Sequence, residues 1–360
     1  MKDDRQHLQF FDLIAREWQL ADPVQQVIFN ASRTALAFAC TGGAVAIVAT
    51  ADKSPPRARV RRAVDTAQLS IQPRDGTYPG PKLADHPKGR TTALATFGPE
   101  QFLFGKSNGR INSVTPGGLC VHLPPKAGAD VTAVAEANGI LAYAVGAEVQ
   151  LWHPDQATRQ IIPPAPVTCL RFSPDGQYLA IGHAAGVLIW STLDQPSAVA
   201  FDAPPQVVEW SADGRWLACC LGRAGLVLID MRDMSSTIYD HFPGPVTSVG
   251  FGAHSVVASG AYRVAAWSLE DGAPIITGKP GLVLVDAVAV NDTRNLAAVG
   301  YANGLLNLCQ IGGGAEILLR QDTGAGISAL AWSTCGRFLG VGGRDGSAAL
   351  IEFPDEMFKS

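Results

Sequence analysis

A chain of 360 residues would ordinarily suggest two domains, and its 47% hydrophobic against 17% charged content marks a well-buried globular protein and excludes a disordered one. The net charge of −4 argues against nucleic-acid binding by the chain as a whole, and the absence of any apolar run of about 18 residues excludes a helical membrane span. The seven cysteines show no CxxC spacing, and the opening MKDDRQHLQFFDLIAREW lacks the apolar core of a signal peptide, so reduced core thiols and a cytoplasmic address are expected.

Taken in order, Leu8 to Ile14 (LQFFDLI) reads as an isolated strand with no repeat of its own. Val24 to Phe29, Ala35 to Cys40 and Val45 to Ala49 read as three strands of a first repeat. The basic run Lys53 to Arg62 follows, and period two would put Arg57, Arg59 and Arg61 on one face of an outermost fourth strand. Such a strip is either an edge charged against aggregation or a dock for an anionic partner. Residues 72–90 are rich in Pro and Gly and are expected to form an inserted basic loop without regular structure, linking the fourth strand to the next repeat. Between Lys53 and Arg90 nine bases face three acids, leaving about −10 for the remainder, so charge is segregated.

The second and third repeats are degenerate, though Ser107-Asn108-Gly109 gives a hairpin turn and Glu148 to Trp152 a third strand. Pro166 to Phe201 is the clearest unit. It has strands at Val167 to Phe172, Tyr178 to Ile181, Val187 to Trp190 and Ser197 to Phe201, with turns at Ser173-Pro174-Asp175-Gly176 and Gly182 to Gly186. Asn303-Gly304 and Asp345-Gly346 mark later hairpins of the primed type. The chain finishes on three strands, Ile327 to Trp332, Phe338 to Gly342 and Ser347 to Phe353, without room for a good fourth.

The first strand recurs at Val27, Leu94, Val134, Leu170, Val208, Val249, Val288 and Leu330, with steps of about 67, 40, 36, 38, 41, 39 and 42 residues. Four antiparallel strands in about 40 residues is the period of one propeller blade. The fold class expected is therefore all-β: a single closed β-propeller over residues 1–360, with eight four-stranded blades and seven as the alternative. The N-terminal strand should complete the last blade, which removes the open interface and buries Phe10 and Phe11.

Ser173-Pro174-Asp175-Gly176, Leu179-Ala180-Ile181-Gly182 and Leu188-Ile189-Trp190 together resemble a WD40 repeat, and the likeness extends over nearly the whole chain. The family's Trp-Asp pair stands here as Trp152-His153, Trp190-Ser191 and Trp267-Ser268, Ile229-Asp230 keeps only the acid, and no blade has the Gly-His pair before its first strand. The resemblance implies a protein-interaction scaffold, stabilised mainly by apolar packing between blades.

No catalytic constellation and no metal site is expected. The histidines at 7, 86, 122, 153, 183, 241 and 254 have no HxH, HExxH or HxxxH spacing, and neither a GxSxG elbow nor a phosphate-binding GxxxxGK[ST] loop occurs. The chain is thus expected not to be an enzyme and to need no cofactor. The alternative is a propeller enzyme, of hydrolase or oxidoreductase type, with a site in the central channel. A second alternative is nucleic-acid binding through the Arg57 to Arg62 strip. The expected site is a basic face on which turns between second and third strands meet the links between blades. It carries Lys106, His183, Arg223, Tyr262, Arg263, Tyr301 and Arg344, with Lys82, Lys88 and Arg90 from the insertion and Arg57, Arg59 and Arg61 from the strip. The opposite face collects Asp52, Glu100, Glu136, Asp155, Asp175, Asp194, Asp213, Asp233, Glu270, Asp271 and Asp292. The expected partner is a protein with an acidic segment, bound by a monomeric propeller within a larger complex.

Overall fold

The computed structural model describes residues 9–65, 68–84, 89–191 and 196–358. Its main sheets are eight antiparallel blades in chain order, each with its first strand innermost, so the chain forms an eight-bladed propeller. Seven blades have four strands; in the sixth (Val249–Phe251, Ser255–Ala258, Ala265–Ser268) the fourth is reduced to a bridge between Trp267 and Pro274. Proline cannot donate to a ladder, which limits pairing there to contacts such as the Ile275 N–H on the Ala266 carbonyl at 2.7 Å.

The core lies between the blades. Leu179 and Ile181 of blade 4 pack with Ala142 and Leu151 of blade 3, while Ala180 and Ile189, on the other side of the same sheet, pack with Leu217 and Ile229 of blade 5. Both faces of the inner strands are therefore covered, which explains continuous apolar runs such as Ala35–Cys40, buried at every position. Burial pushes the Cys40 and Cys169 thiols up to about 11, as suits core residues.

Two local devices recur. In the turn after the first strand, the Ser173 hydroxyl accepts the Tyr178 N–H at 3.0 Å and lies 2.5 Å from the Asp175 carboxylate, which accepts the Gln177 N–H. Gly176 supplies the φ of 72° that the turn needs. Ser211 with Asp213 and Ser333 with Cys335 repeat the arrangement. The second device is the glycine near the end of the second strand: Gly105, Gly182, Gly300 and Gly342. Each pairs with the residue after a bulge in the first strand, at Ala93, Cys169, Ala287 and Ala329. A Cβ on Gly105 would sit 2.5 Å from Val131 of the next blade, and one on Gly300 2.6 Å from Ile327. The glycine in the Leu-Ala-Ile-Gly signature is thus where one blade admits the next.

Hydroxyls on or just before the first strands add polar bonds at the same junctions. Thr168 donates to the Pro205 carbonyl at 2.5 Å, Thr247 to Asp286 at 2.8 Å, Ser328 to Val24 at 2.5 Å and Thr92 to Val131. At the far end, the Trp210 and Trp332 indoles donate back to carbonyls of Arg171 and Ala289 in the preceding blades. Packing between blades is therefore supplemented by a ring of hydrogen bonds that the sequence reading did not anticipate.

The ring closes as expected but through a different segment. Leu8 lies outside the described residues, and Phe10–Ile14 forms a helical turn; the closing strand is Ala15–Gln19, paired antiparallel to Ser347–Glu352. The reason is spacing: Phe11 and Ile14, three apart, share one helical face and are buried at 3% and 2% exposure against blades 7 and 8.

The insertion also departs from expectation. The fourth strand of blade 1 is Lys82–Leu83, so residues 53–81 link third strand to fourth, and the 72–90 stretch is neither strandless nor wholly a link between blades. Arg57 to Arg62 is not one strand: Pro56–Arg59 is helical and Val60–Arg62 pairs with Leu69–Ile71. The Pro55-Pro56 start favours the helical turn. Arg59 is buried, donating to the carbonyls of Ser54, Gln72 and Leu13.

This insertion fastens the ring seam. The Tyr78 hydroxyl bonds both the N–H and the carbonyl of Glu17 at 2.9 Å, and the Trp18 indole donates to the Pro79 carbonyl. Arg16 donates to carbonyls of Ala49, Thr50 and Ala51 in blade 1. Burial raises the Asp52 carboxyl, but hydrogen bonds from Arg74 and the Ser54 N–H, with Arg16 nearby, win and hold it low. An outer strand edge that would otherwise face water is covered.

Candidate functional site: the face of the blade links

Where blades 5 to 7 meet, successive turns and links are stitched by backbone bonds. Val246 N–H binds the Gly222 carbonyl at 2.9 Å, Gly244 binds Gly260 at 2.8 Å, Gly281 binds Tyr262 at 3.0 Å and Ala302 binds Leu284 at 2.9 Å. These loops cannot move independently of the blades that carry them. On them stand Arg223, Tyr262 at 46% exposure and Leu282 at 96%. Half-buried Arg263 ties its turn to the irregular edge of blade 6, donating to the Thr277 carbonyl at 3.1 Å and to Gly278 at 2.6 Å. Tyr262 and Leu282 are thus two exposed apolar side chains on a rigid frame, with exposed Arg223 on the same face.

Other expected members are placed differently. Lys106, His183 and Tyr301 end the second strands of blades 2, 4 and 7 and are buried at 0%, 3% and 6% exposure, so they belong to the core. The Lys106 ammonium lies 5.4 Å from the Phe104 ring centre. His183 accepts the Ala185 N–H on Nδ1, and burial lowers its pKa, favouring the neutral ring. Burial likewise raises the Tyr301 phenol. The buried run of each second strand extends through this last residue, so the turn reading ran one residue too deep into the strand.

Arg344 is exposed on this face but paired, its guanidinium 2.8 Å from Asp286 of blade 7. Lys82 and Arg90 are exposed, Arg90 on this face and Lys82 on the outer strand of blade 1; Lys88, with His86, lies outside the described residues. Arg57 and Arg61 are exposed but rise with the insertion on the opposite face, as does Arg74, while Arg59 is buried. The expected separation of charge is weaker than the sequence reading made it. Exposed Asp202, Asp240, Asp322 and Asp345 share the face with the arginines. On the other face Asp194 lies outside the described residues, and Asp52 is buried in its arginine pairs. Asp175, Asp213, Asp233 and Asp271 there accept the N–H two residues on, which is turn chemistry. Leu282 was missed because a search for charge and aromatic residues passes over a lone leucine in a Pro-Gly link.

Among the described residues no cluster of three or more His, Cys, Asp or Glu could hold a metal ion, and no helix is long and apolar enough to cross a membrane. Among the described residues an ion pair joins the first strands of blades 4 and 5, Arg171 to Glu209 at 2.7 Å.

Comparison with known proteins agrees with this architecture. The WD40 family, described as WD domain, G-beta repeat, matches residues 159–191, the end of blade 3 and most of blade 4. COMPASS component SWD1 of Saccharomyces cerevisiae (strain ATCC 204508 / S288c) is 35% identical over 96 residues, which is 24% of this chain and 20% of that protein. The chain thus aligns with about a fifth of the length of that relative. Among solved structures, the C-terminal WD40 domain of Sif2 superposes with a TM-score of 0.65 at 14% identity, covering 95% of this chain and 99% of that one. The computationally designed Ika8 protein superposes with a TM-score of 0.66 at 15% identity, covering 93% and 98%. With the Ser-x-Asp-Gly turns, the blade period and the ring closure, these findings show that the chain is an eight-bladed β-propeller with a WD40 repeat at residues 159–191.

Proposed function

We infer that this propeller is a protein-interaction scaffold that docks an acidic, apolar-anchored segment of a partner on the face of the blade links. The observation that carries the reading is the exposure of Tyr262 and Leu282 on loops joined by the Gly281 N–H to the Tyr262 carbonyl at 3.0 Å, with exposed Arg223 on the same face. Tyrosine and arginine serve as binding anchors because each adds much contact area or several donors for little ordering cost. The stretch of similarity to a protein named as a component of COMPASS supports, as a further part of the proposal, a role as a subunit of a multi-protein assembly.

The test is affinity capture from native cells with mass spectrometry, comparing the intact chain with Arg223→Glu/Tyr262→Ala/Leu282→Ser and with Asp175→Lys/Asp213→Lys/Asp292→Lys. A specific partner should be lost with the first set, retained with the second, and weakened by salt, since exposed charges are screened within about 8–10 Å. Capture that survives the first set and fails with the second would move the site to the opposite face. Turnover of a small molecule without any co-purifying protein would favour the channel-enzyme alternative.

A further inference from the structure

The insertion contains a second surface, on the opposite face and made of different residues. After Arg59 the chain forms a hairpin, with Val60, Arg61 and Arg62 opposite Ile71, Ser70 and Leu69, closed by the Ala63 N–H on the Gln68 carbonyl at 2.9 Å. Its base is fixed. The Gln72 N–H binds the Arg59 carbonyl at 2.9 Å, Arg59 grips the Leu13 carbonyl at 2.6 Å, and Ile71 packs against the core shared by blades 7 and 8. Beyond that base Arg61, Arg62, Leu69 and Val64 are exposed, Leu69 at 46% and Val64 completely, and Arg57 stands beside it with its side chain 57% exposed. Arg62 and Leu69 are direct cross-strand partners and so share one face of the hairpin.

We propose that this hairpin is a docking element for an acidic protein segment that carries aliphatic side chains, bound independently of the face described above. Two features select that occupant. An edge charged only for solubility has no use for a valine and a leucine held in water next to its arginines. A nucleic acid would use the arginines but not the aliphatics, and residues 57–65 and 68–72 contain no aromatic side chain on which a base could stack. The rest of the chain, at about −10, also repels a long polyanion, whereas a short acidic segment meets a hairpin on which Arg57, Arg61 and Arg62 outnumber Asp65. Because Arg59 joins the hairpin to Leu13, immediately before the closing strand, an occupied hairpin should also hold Ala15–Gln19 more firmly.

The experiment uses the full chain and a fluorescein-labelled peptide of four Glu-Glu-Leu repeats, followed by anisotropy, with hydrogen exchange of residues 15–19 as a second readout. Arg61→Glu/Arg62→Glu and Val64→Ser/Leu69→Ser should each weaken binding by about tenfold or more while leaving the melting temperature unchanged, because all four side chains are exposed, whereas Arg57 is left in place for its pairing with Glu352 at 3.9 Å. Arg223→Glu should leave peptide binding intact, which separates this proposal from the one above. Saturating peptide should slow exchange of residues 15–19. Four results overturn the proposal: no binding by the intact chain near millimolar peptide; Val64→Ser/Leu69→Ser binding as well as wild type; loss of binding with Arg223→Glu alone; or duplex DNA of equal charge binding more tightly than the peptide.

Discussion

Replacing Phe11 by alanine tests whether the N-terminal helical turn is what holds the ring shut. The ring of Phe11 is 3% exposed, set among Leu319 of blade 7 and Leu339, Ile351 and Phe353 of blade 8, with the Arg320 guanidinium 5.3 Å from its centre. Truncating a buried phenylalanine costs about 3–5 kcal/mol, and the lost cation–π contact adds about 0.5–1 kcal/mol. The same change should loosen Ala15–Gln19, which follows the helical turn directly and forms the outer strand of blade 8. Urea unfolding gives the equilibrium loss, and hydrogen exchange resolves whether the closing-strand amides open before the rest. Tyr78→Phe, which removes a hydroxyl that binds Glu17 twice, is the smaller companion and should cost about 1 kcal/mol. If Phe11→Ala lowers stability by less than about 1 kcal/mol and residues 15–19 exchange at the wild-type rate, the closure argument is wrong.

Other perturbations probe the remaining features. Gly342→Ala should destabilise by about 1–3 kcal/mol, since its new Cβ collides with Val24 of blade 1; thermal melting against a surface Gly314→Ala control checks this. Thr168→Val removes the donor to the Pro205 carbonyl and should cost about 1 kcal/mol by urea titration, with the fold intact by circular dichroism. Hydrogen bonds from Arg232 to Asp230 hold that carboxyl at about 2, below the ordinary 3.8. A depressed value means the stabilisation is complete above 3.8 and is lost as pH falls toward 2. Asp230→Asn should therefore cost about 1–2 kcal/mol at neutral pH and narrow its gap to wild type near pH 3, as read from urea midpoints.

The architecture was legible because it rests on local, repeated signals. The first-strand positions from Val27 to Leu330 recur at the blade period, and a missing fourth strand at the C-terminus with surplus apolar residues at the N-terminus leaves closure as the economical solution. What was misread depends on partners far away in sequence. Arg57, Arg59 and Arg61 alternate as a strand would, yet Arg59 turns inward because the carbonyls of Leu13 and Gln72 wait there. The fourth strand of blade 1 has only two residues, Lys82–Leu83, too few to leave a period, so most of the insertion was assigned to the wrong link and Arg74 with it to the wrong face. Lys106 and His183 read as exposed turn residues because sequence gives a charge but not the depth at which a strand ends.

The pairing of Ala15 with Ile351 also sets a clock on biosynthesis. A ribosome adds about 5–20 residues per second, so roughly 340 residues separate the emergence of the two partners by some 15–70 s. Throughout that interval the first seven blades can assemble one upon another, each resting on its predecessor, while Phe11 and Ile14 lack the blade 8 side chains that complete their pocket. A nascent chain of this design carries an early apolar segment that only its own last two blades together can accept. Stalling translation anywhere before Ser347 should leave that segment open to chaperones, and the cell would meet this protein chiefly as a client until its final strands appear.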